Sequence, residues 1–163
     1  SPRNGVDTLA GSNAAKVIGA GPVIGNSYGL QANYRITNGF ELGGWVGYTA
    51  ARTLVVRGDA DVLNYGITLA FPDLGKKGNL GGIVVGMQPR LVGTSNGAVA
   101  SAIGLPEGQR SDRDTGLHIE AFYRYQLTEN ISITPGFFWL TAPNHDERNP
   151  DAFVGAIRTS FSF

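Results

Sequence analysis

Between Leu117 and Leu127 the sequence changes character at every residue. Leu117, Ile119, Ala121, Tyr123, Tyr125 and Leu127 share one parity, and His118, Glu120, Phe122, Arg124 and Gln126 share the other. Successive side chains of a β-strand point to opposite faces, so this run predicts a strand with one apolar face and one polar face, Phe122 excepted. The same period of two returns along the chain, and the 3.6-residue period of a helix does not. Tyr28, Leu30, Ala32, Tyr34 and Ile36 show it, as do Phe40 to Tyr48 and Leu63 to Phe71. Ile83, Val85, Met87, Pro89 and Leu91 alternate with Gly82, Val84, Gly86, Gln88 and Arg90. Seven strands are predicted, at 28–37, 40–51, 61–71, 80–92, 114–127, 131–141 and 152–163. The sixth is the least regular, because Phe138 and Leu140 fall on its polar side.

The connections carry a second pattern. Asn38-Gly39 suits a two-residue hairpin turn, the turn at Glu129-Asn130 is tight, and Asp73 to Asn79 is short and polar. Between them lie longer stretches: Ala51 to Ala60, Gly93 to Arg113 and Ala142 to Asp151. Short and long connections alternate, which puts the long ones at one end of the sheet. Strands of about ten residues with short turns at one end and long loops at the other are the pattern of an outer-membrane β-barrel. With the short turns on the periplasmic side, residues 1–27 form an extracellular loop. Tyr28, Tyr48, Trp139 and Phe153 then fall near the outer boundary. Phe40, Phe71, Tyr125, Phe161 and Phe163 fall near the inner one, giving two aromatic girdles. In the final strand Phe153, Ile157, Phe161 and Phe163 share the lipid-facing parity. The alternation resembles the terminal signal read by the outer-membrane insertion machinery, in which a final Phe ends an alternating strand.

Composition narrows the alternatives. The 163 residues have a formal net charge of zero and include no cysteine. No basic surface argues for nucleic acid, and neither a disulfide framework nor a thiolate metal site is available. Seven strands leave two edges, and unpaired backbone groups in lipid cost several kcal/mol each. Bacterial barrels have even strand numbers. The segment from Lys16 to Ile24 contains Pro22 and alternates poorly, so it makes a weak candidate for an eighth strand. The chain is expected to be part of a larger barrel.

Several stretches resemble one family. "GNSYGLQANYRIT", "GWVGYTAARTL" and "DLGKKGNLGGIVVGMQP" are similar to the C-terminal half of cyanobacterial members of the carbohydrate-selective (OprB-like) porins. So is the long final stretch from His118 to Phe163, most specifically in "YRYQLTENISITPG" and "WLTAPNH". The resemblance implies an all-β transmembrane antiparallel barrel of about sixteen strands, with residues 28–163 as its C-terminal half, in the outer membrane. It also implies a homotrimer and an N-terminal half of the same barrel, which longer members precede with a cell-wall-binding domain and a coiled coil. The expected function is a passive channel for small hydrophilic solutes, namely inorganic ions, with iron or sugars among the candidates. Two other readings are a small eight-stranded membrane barrel with a structural role and a soluble ligand-binding barrel of the lipocalin kind.

A diffusion channel needs no catalytic residue and no cofactor; lumen side chains set its width and field. The polar parity nominates Arg35, Glu41, Arg90, His118, Glu120, Arg124 and Arg158 as pore-lining. Four arginines oppose two glutamates, which predicts a modest preference for anions. The competing explanation for any one of them is local pairing. His145-Asp146-Glu147 is expected to be a solvated loop rather than a metal site.

Overall fold

A computed structural model describes residues 3–6 and 10–163. Its centre is one antiparallel sheet in which every strand pairs with its neighbours in sequence. The strands are β1 (Arg3–Asn4), β2 (Pro22–Thr37), β3 (Phe40–Thr53), β4 (Gly58–Pro72), β5 (Leu80–Thr94), β6 (His118–Gln126), β7 (Ile131–Leu140) and β8 (Ala152–Phe161). A six-residue helix, α1 (Gly97–Ala102), lies between β5 and β6. The seven long strands are those the alternation predicts. Among the described residues β1 and β8 do not pair, so the sheet is open, with β8 as one edge.

Three boundaries differ from expectation. Strand β2 begins at Pro22, so residues 22–27, expected as loop, are strand. Proline is tolerated as the first residue of a strand, and here its carbonyl accepts from the Leu54 N–H at 3.0 Å. The expected long loop from Ala51 to Ala60 is a four-residue turn, because β3 and β4 stay paired up to Thr53↔Gly58. Arg52 and Asp59 face each other across that extension and form an ion pair, Nε to Oδ1 3.0 Å. Strand β6 starts at His118, four residues later than expected. Of the loop expected over residues 1–27, residues 1, 2 and 7–9 lie outside the described ones.

Register sorts the side chains. Tyr28↔Tyr48, Leu30↔Val46 and Tyr34↔Leu42 share one face, which continues through Tyr65, Ile67, Ile83, Ile119, Phe137, Trp139, Phe153 and Ile157. This face is bare: Leu30 and Tyr34 are each 72% exposed and Ile157 is 76% exposed. Apolar residues so presented need a nonaqueous neighbour. Aromatic pairs stand near both ends of it, with Phe40 stacked on Phe71 at the short-turn end and Phe137 on Phe153 at the other, each at 5.3 Å. The opposite face carries Arg35↔Glu41, Asn33↔Gly43↔Thr68, Val84↔Glu120 and Thr134↔Arg158.

The buried core sits at the long-loop end, on the polar face. Val23, Ala51, Val62 and Leu91 of four strands pack under Ala14, Ala15, Val17 and Ala20 of the N-terminal segment and under Val99 of α1. Asn96 caps α1, its side chain accepting from the Val99 N–H at 2.9 Å. The N-terminal segment and the β5–β6 loop therefore fold back across the sheet and form a collar over its long-loop end.

Candidate functional site

The polar face and its collar form the candidate site. A concavity of about 870 Å³ runs along β6 to β8 and is lined by Glu120, Phe122, Arg124, Thr134, Phe138, Arg158 and Ser160, among others. Arg124 lies opposite Thr134 in the register that joins Phe122↔Gly136 to Tyr125↔Ile133, and Thr134 lies opposite Arg158. The two arginines thus stand level, two strands apart, about 10 Å at the usual strand spacing. Both are exposed, and neither guanidinium has a hydrogen-bond or ion-pair partner among the described residues.

The other nominated residues are engaged. Arg35 and Glu41 are cross-strand neighbours near the short-turn end, and the Arg35 Nε–H donates to Glu41 Oε1 at 2.7 Å. His118 Nε2 lies 3.3 Å from Glu120 Oε2, and the His118 ring stacks on Phe138 at 5.3 Å. Phe138, irregular in the sequence pattern, is thereby placed on the polar face.

Arg90 is a correction. The simple alternation puts it on the polar face and Leu91 on the apolar one. Between Tyr65↔Met87 and Leu63↔Arg90 strand β5 carries one extra residue. A one-residue bulge inverts the faces beyond it. Arg90 therefore shares a face with Leu63, while Leu91 joins Val62 in the buried core. The Arg90 guanidinium donates to the carbonyls of Asp114 (2.8 Å) and Asp112 (2.9 Å), so it fastens the collar and is not a free lumen charge.

Strand β6 pairs with β5 only from Leu80 to Gly86, which leaves the β5 edge beyond Gly86 to other partners. The collar supplies them. The Asp112 N–H donates to the Leu91 carbonyl (2.9 Å), the Leu91 N–H to Asp112 Oδ2 (2.7 Å) and the Ser12 N–H to the Pro89 carbonyl (3.0 Å). Ser12 Oγ–H donates to Asp112 Oδ2 at 2.5 Å. His145 is buried; its Nδ1 accepts from the Gly116 N–H at 2.8 Å and its Nε2 lies 3.2 Å from the Gln88 carbonyl. These contacts require the neutral Nε2–H tautomer. Burial lowers the His145 pKa below its ordinary value. Burial raises that of Asp112, opposed by the hydrogen bonds from Ser12 and Leu91. Asp146 turns away to Arg148, which holds its carboxyl at about 2, and only the backbone N–H of Glu147 joins the collar, donating to Asp114. The three residues of the His145 loop do not converge on one point.

The alternation did not reveal this collar. Two signals were present in the sequence: Pro89 inside an interior strand, which marks a bulge, and the apolar doublets Val62-Leu63 and Leu91-Val92, which break parity.

Comparison with known proteins places this geometry. Residues 7–163 match the family described as "Carbohydrate-selective porin, OprB family". The chain belongs to that porin family. Two similar relatives are uncharacterized proteins of cyanobacteria. One, from Nostoc sp., is 37% identical over 138 residues, covering 85% of this chain and 22% of the relative. The other, from Synechocystis sp., is 35% identical and covers 99% of this chain and 32% of the relative. The porin segment thus spans about a fifth to a third of the length of the relatives it matches. No solved structure matches it. The porins are a family of channels rather than enzymes and belong to the outer membrane.

Proposed function

We propose that this chain is one section of the wall of an outer-membrane diffusion channel for small hydrophilic solutes, with carbohydrates as the favoured class. The observation that carries this reading is the division of the sheet into a bare apolar face and an opposite face of amides, hydroxyls, glycines and a few charges. The apolar face contacts lipid and the polar face lines the lumen. The open edge at β8 supports pairing with further strands of the same barrel, since an unpaired edge is costly in a membrane. Phe153, Ile157 and Phe161 share the lipid face of β8 and Phe163 follows it, an arrangement suited to recognition by the insertion machinery. A homotrimer is the assembly proposed by family likeness.

The carbohydrate preference rests on the family's description, and neither comparison names ions or iron. The small eight-stranded barrel has less support, because β1 has two residues and pairs only with β2. A soluble ligand-binding barrel has less support, because the family that residues 7–163 match is one of porins. The test is reconstitution of the full-length protein in liposomes. Swelling in an isotonic glucose solution supports a sugar-permeable channel. Intact liposomes that neither swell nor conduct salt overturn the channel reading.

A further inference from the structure

On the polar face of β2, β3 and β4, far from the arginines of β8, stands Trp45. Register places Gln31 on one side of it and Gly66 on the other. The row toward the short turns is Asn33, Gly43 and Thr68; the row toward the collar is Gly29, Gly47 and Asn64. The indole therefore occupies a bed of glycines, with neutral hydrogen-bonding side chains around its rim.

The glycines fix how the ring lies. A Cβ added to Gly66 would meet three ring atoms of Trp45 at 2.3, 2.4 and 2.8 Å, so the ring lies across that backbone with one face down. A Cβ at Gly43 would strike Asn33 Oδ1 and Thr68 Oγ1 at 2.2 and 2.4 Å, and one at Gly47 would strike Asn64 Nδ2 at 2.7 Å. These three side chains thus lean over the glycines beside the indole. Trp45 remains 36% exposed. Among the described residues, no hydrogen bond engages its Nε1 or the side chains of Gln31, Asn33, Asn64 and Thr68. The nearest ionic groups in these strands, Arg35 and Glu41, are spent on each other.

We propose that this patch is a subsite for a pyranose ring, with Trp45 as the platform and Gln31, Asn33, Asn64 and Thr68 as partners for the sugar hydroxyls. The proposal rests on the lumen assignment made above and adds the residues and the ligand geometry. A pyranose has apolar C–H faces and a rim of hydroxyls that both donate and accept. An aromatic face meets the first requirement, and primary amides, which carry donor and acceptor together, meet the second. The charged side chains that border the patch are paired, Arg35 with Glu41 and, across Gly86, His118 with Glu120, so no unpaired ion need be desolvated. One exposed platform also gives weak binding, as a channel needs if the solute is to leave. The plainer role, covering the bare Gly66 backbone, uses only the lower face of the indole.

The experiment uses the full-length protein in planar bilayers, with glucose as probe and open-chain mannitol as control. Glucose is expected to reduce the salt current saturably, and mannitol at equal concentration to do so only in proportion to viscosity. Trp45→Ala should raise the half-blocking glucose concentration about tenfold, and Trp45→Phe should keep it within about threefold. Gly66→Ala, which drives a methyl group into the ring, should also weaken the block while the open-channel current persists. Equal glucose block in wild type and Trp45→Ala overturns the subsite and leaves the channel intact. A wild-type protein that conducts nothing overturns the channel reading. The subsite is then decided in detergent: a glucose-dependent fluorescence change lost in Trp45→Phe supports it, and no difference between the two proteins refutes it.

Discussion

The two halves of strand β5 obey different rules. From Leu80 to Gly86 it is a regular wall strand, with β4 on one side and β6 on the other and a strict alternation of faces. From Met87 to Thr94 it keeps β4, loses β6, takes up two extra residues, one near Pro89 and one at Val92, and pairs its free edge with Asp112, Ser12 and His145. In the lower half the environment on each face decides the residue. In the upper half the bonding partners decide it, so Leu91 is buried on the polar face and Arg90 is bound to carbonyls.

The largest expected effect tests the lower half. Ile119, opposite Val85, lies on the bare apolar face. Ile119→Arg should cost ~2–4 kcal/mol if that face meets the bilayer near its middle. Thr134→Arg, on the polar face, should be tolerated. Denaturant unfolding in detergent or lipid measures both, and equal costs would reverse the assignment of the faces.

The upper half should yield without the wall. Asp112→Ala leaves the Leu91 N–H and the Ser12 hydroxyl without their acceptor, a loss of about 1–3 kcal/mol in collar docking. Proteolysis between residues 95 and 117 should accelerate while the barrel remains resistant to heat in detergent. Loss of both together would show that the two halves form one cooperative unit.

Acid provides a subtler separation. Because burial lowers the His145 pKa, the docked collar holds fewer protons than the released one. This contribution is full above the ordinary histidine value of 6.5 and is lost as pH falls through the lowered one. Asp112 acts in the opposite sense: its raised pKa favours docking most below 3.8 and that benefit fades as pH rises. Asp112, Arg90 and Asp114 are the charged groups that surround the imidazole or its loop. Between pH 6.5 and 5, proteolysis of the collar should rise in the wild type. His145→Gln, which can still accept and donate, should abolish that rise. A flat wild-type profile would refute the latch.

The smallest effect concerns charge. Of the seven nominated residues, Arg124 and Arg158 alone keep unpartnered guanidinium groups among the described residues, whereas Arg90 is bound in the collar. Replacing both Arg124 and Arg158 by Ala should shift the reversal potential toward cation preference at ~0.1 M salt, where the Debye length is ~10 Å, and less at 1 M. Arg90→Ala should leave selectivity nearly unchanged and loosen the collar. An equal shift from Arg90→Ala would return that residue to the ion path.

The sequence was legible wherever an alternating strand had regular partners on both sides. His118 to Gln126 could be read residue by residue, faces included, and so could the final strand. Reading failed where a single insertion changed parity, because nothing in a local pattern counts residues across a bulge. It failed again at Pro22 and at Ala51 to Ala60, where cross-strand pairs such as Arg52 with Asp59 extend the ladder beyond the apolar stretch. The collar was hidden for a third reason: Ser12, Asp112 and His145 come from three distant stretches of the chain, the nearby Asn13–Asn144 bond spanning 131 positions, and no short motif links them. For the nominated charged residues other than Arg90, parity gave the face but not the partners, so paired and free charges looked alike.

The shortness of β6 has a consequence for the outline of the wall. Nine residues rise about 30 Å along a strand, or about 23 Å in height at a tilt near 40°, roughly the thickness of the apolar band. Strand β2, with 16 residues, reaches about 40 Å on the same reckoning. The long-loop end of the sheet is therefore stepped: β2 to β5 run on past the level His118↔Leu140↔Ala152, at which β6, β7 and β8 all end. At the step between β5 and β6, folded loop takes the place of strand, fastened by Arg90, Asp112 and His145. If this end of the sheet faces outward, a solute would meet a parapet with one low side and the collar as the sill across part of it.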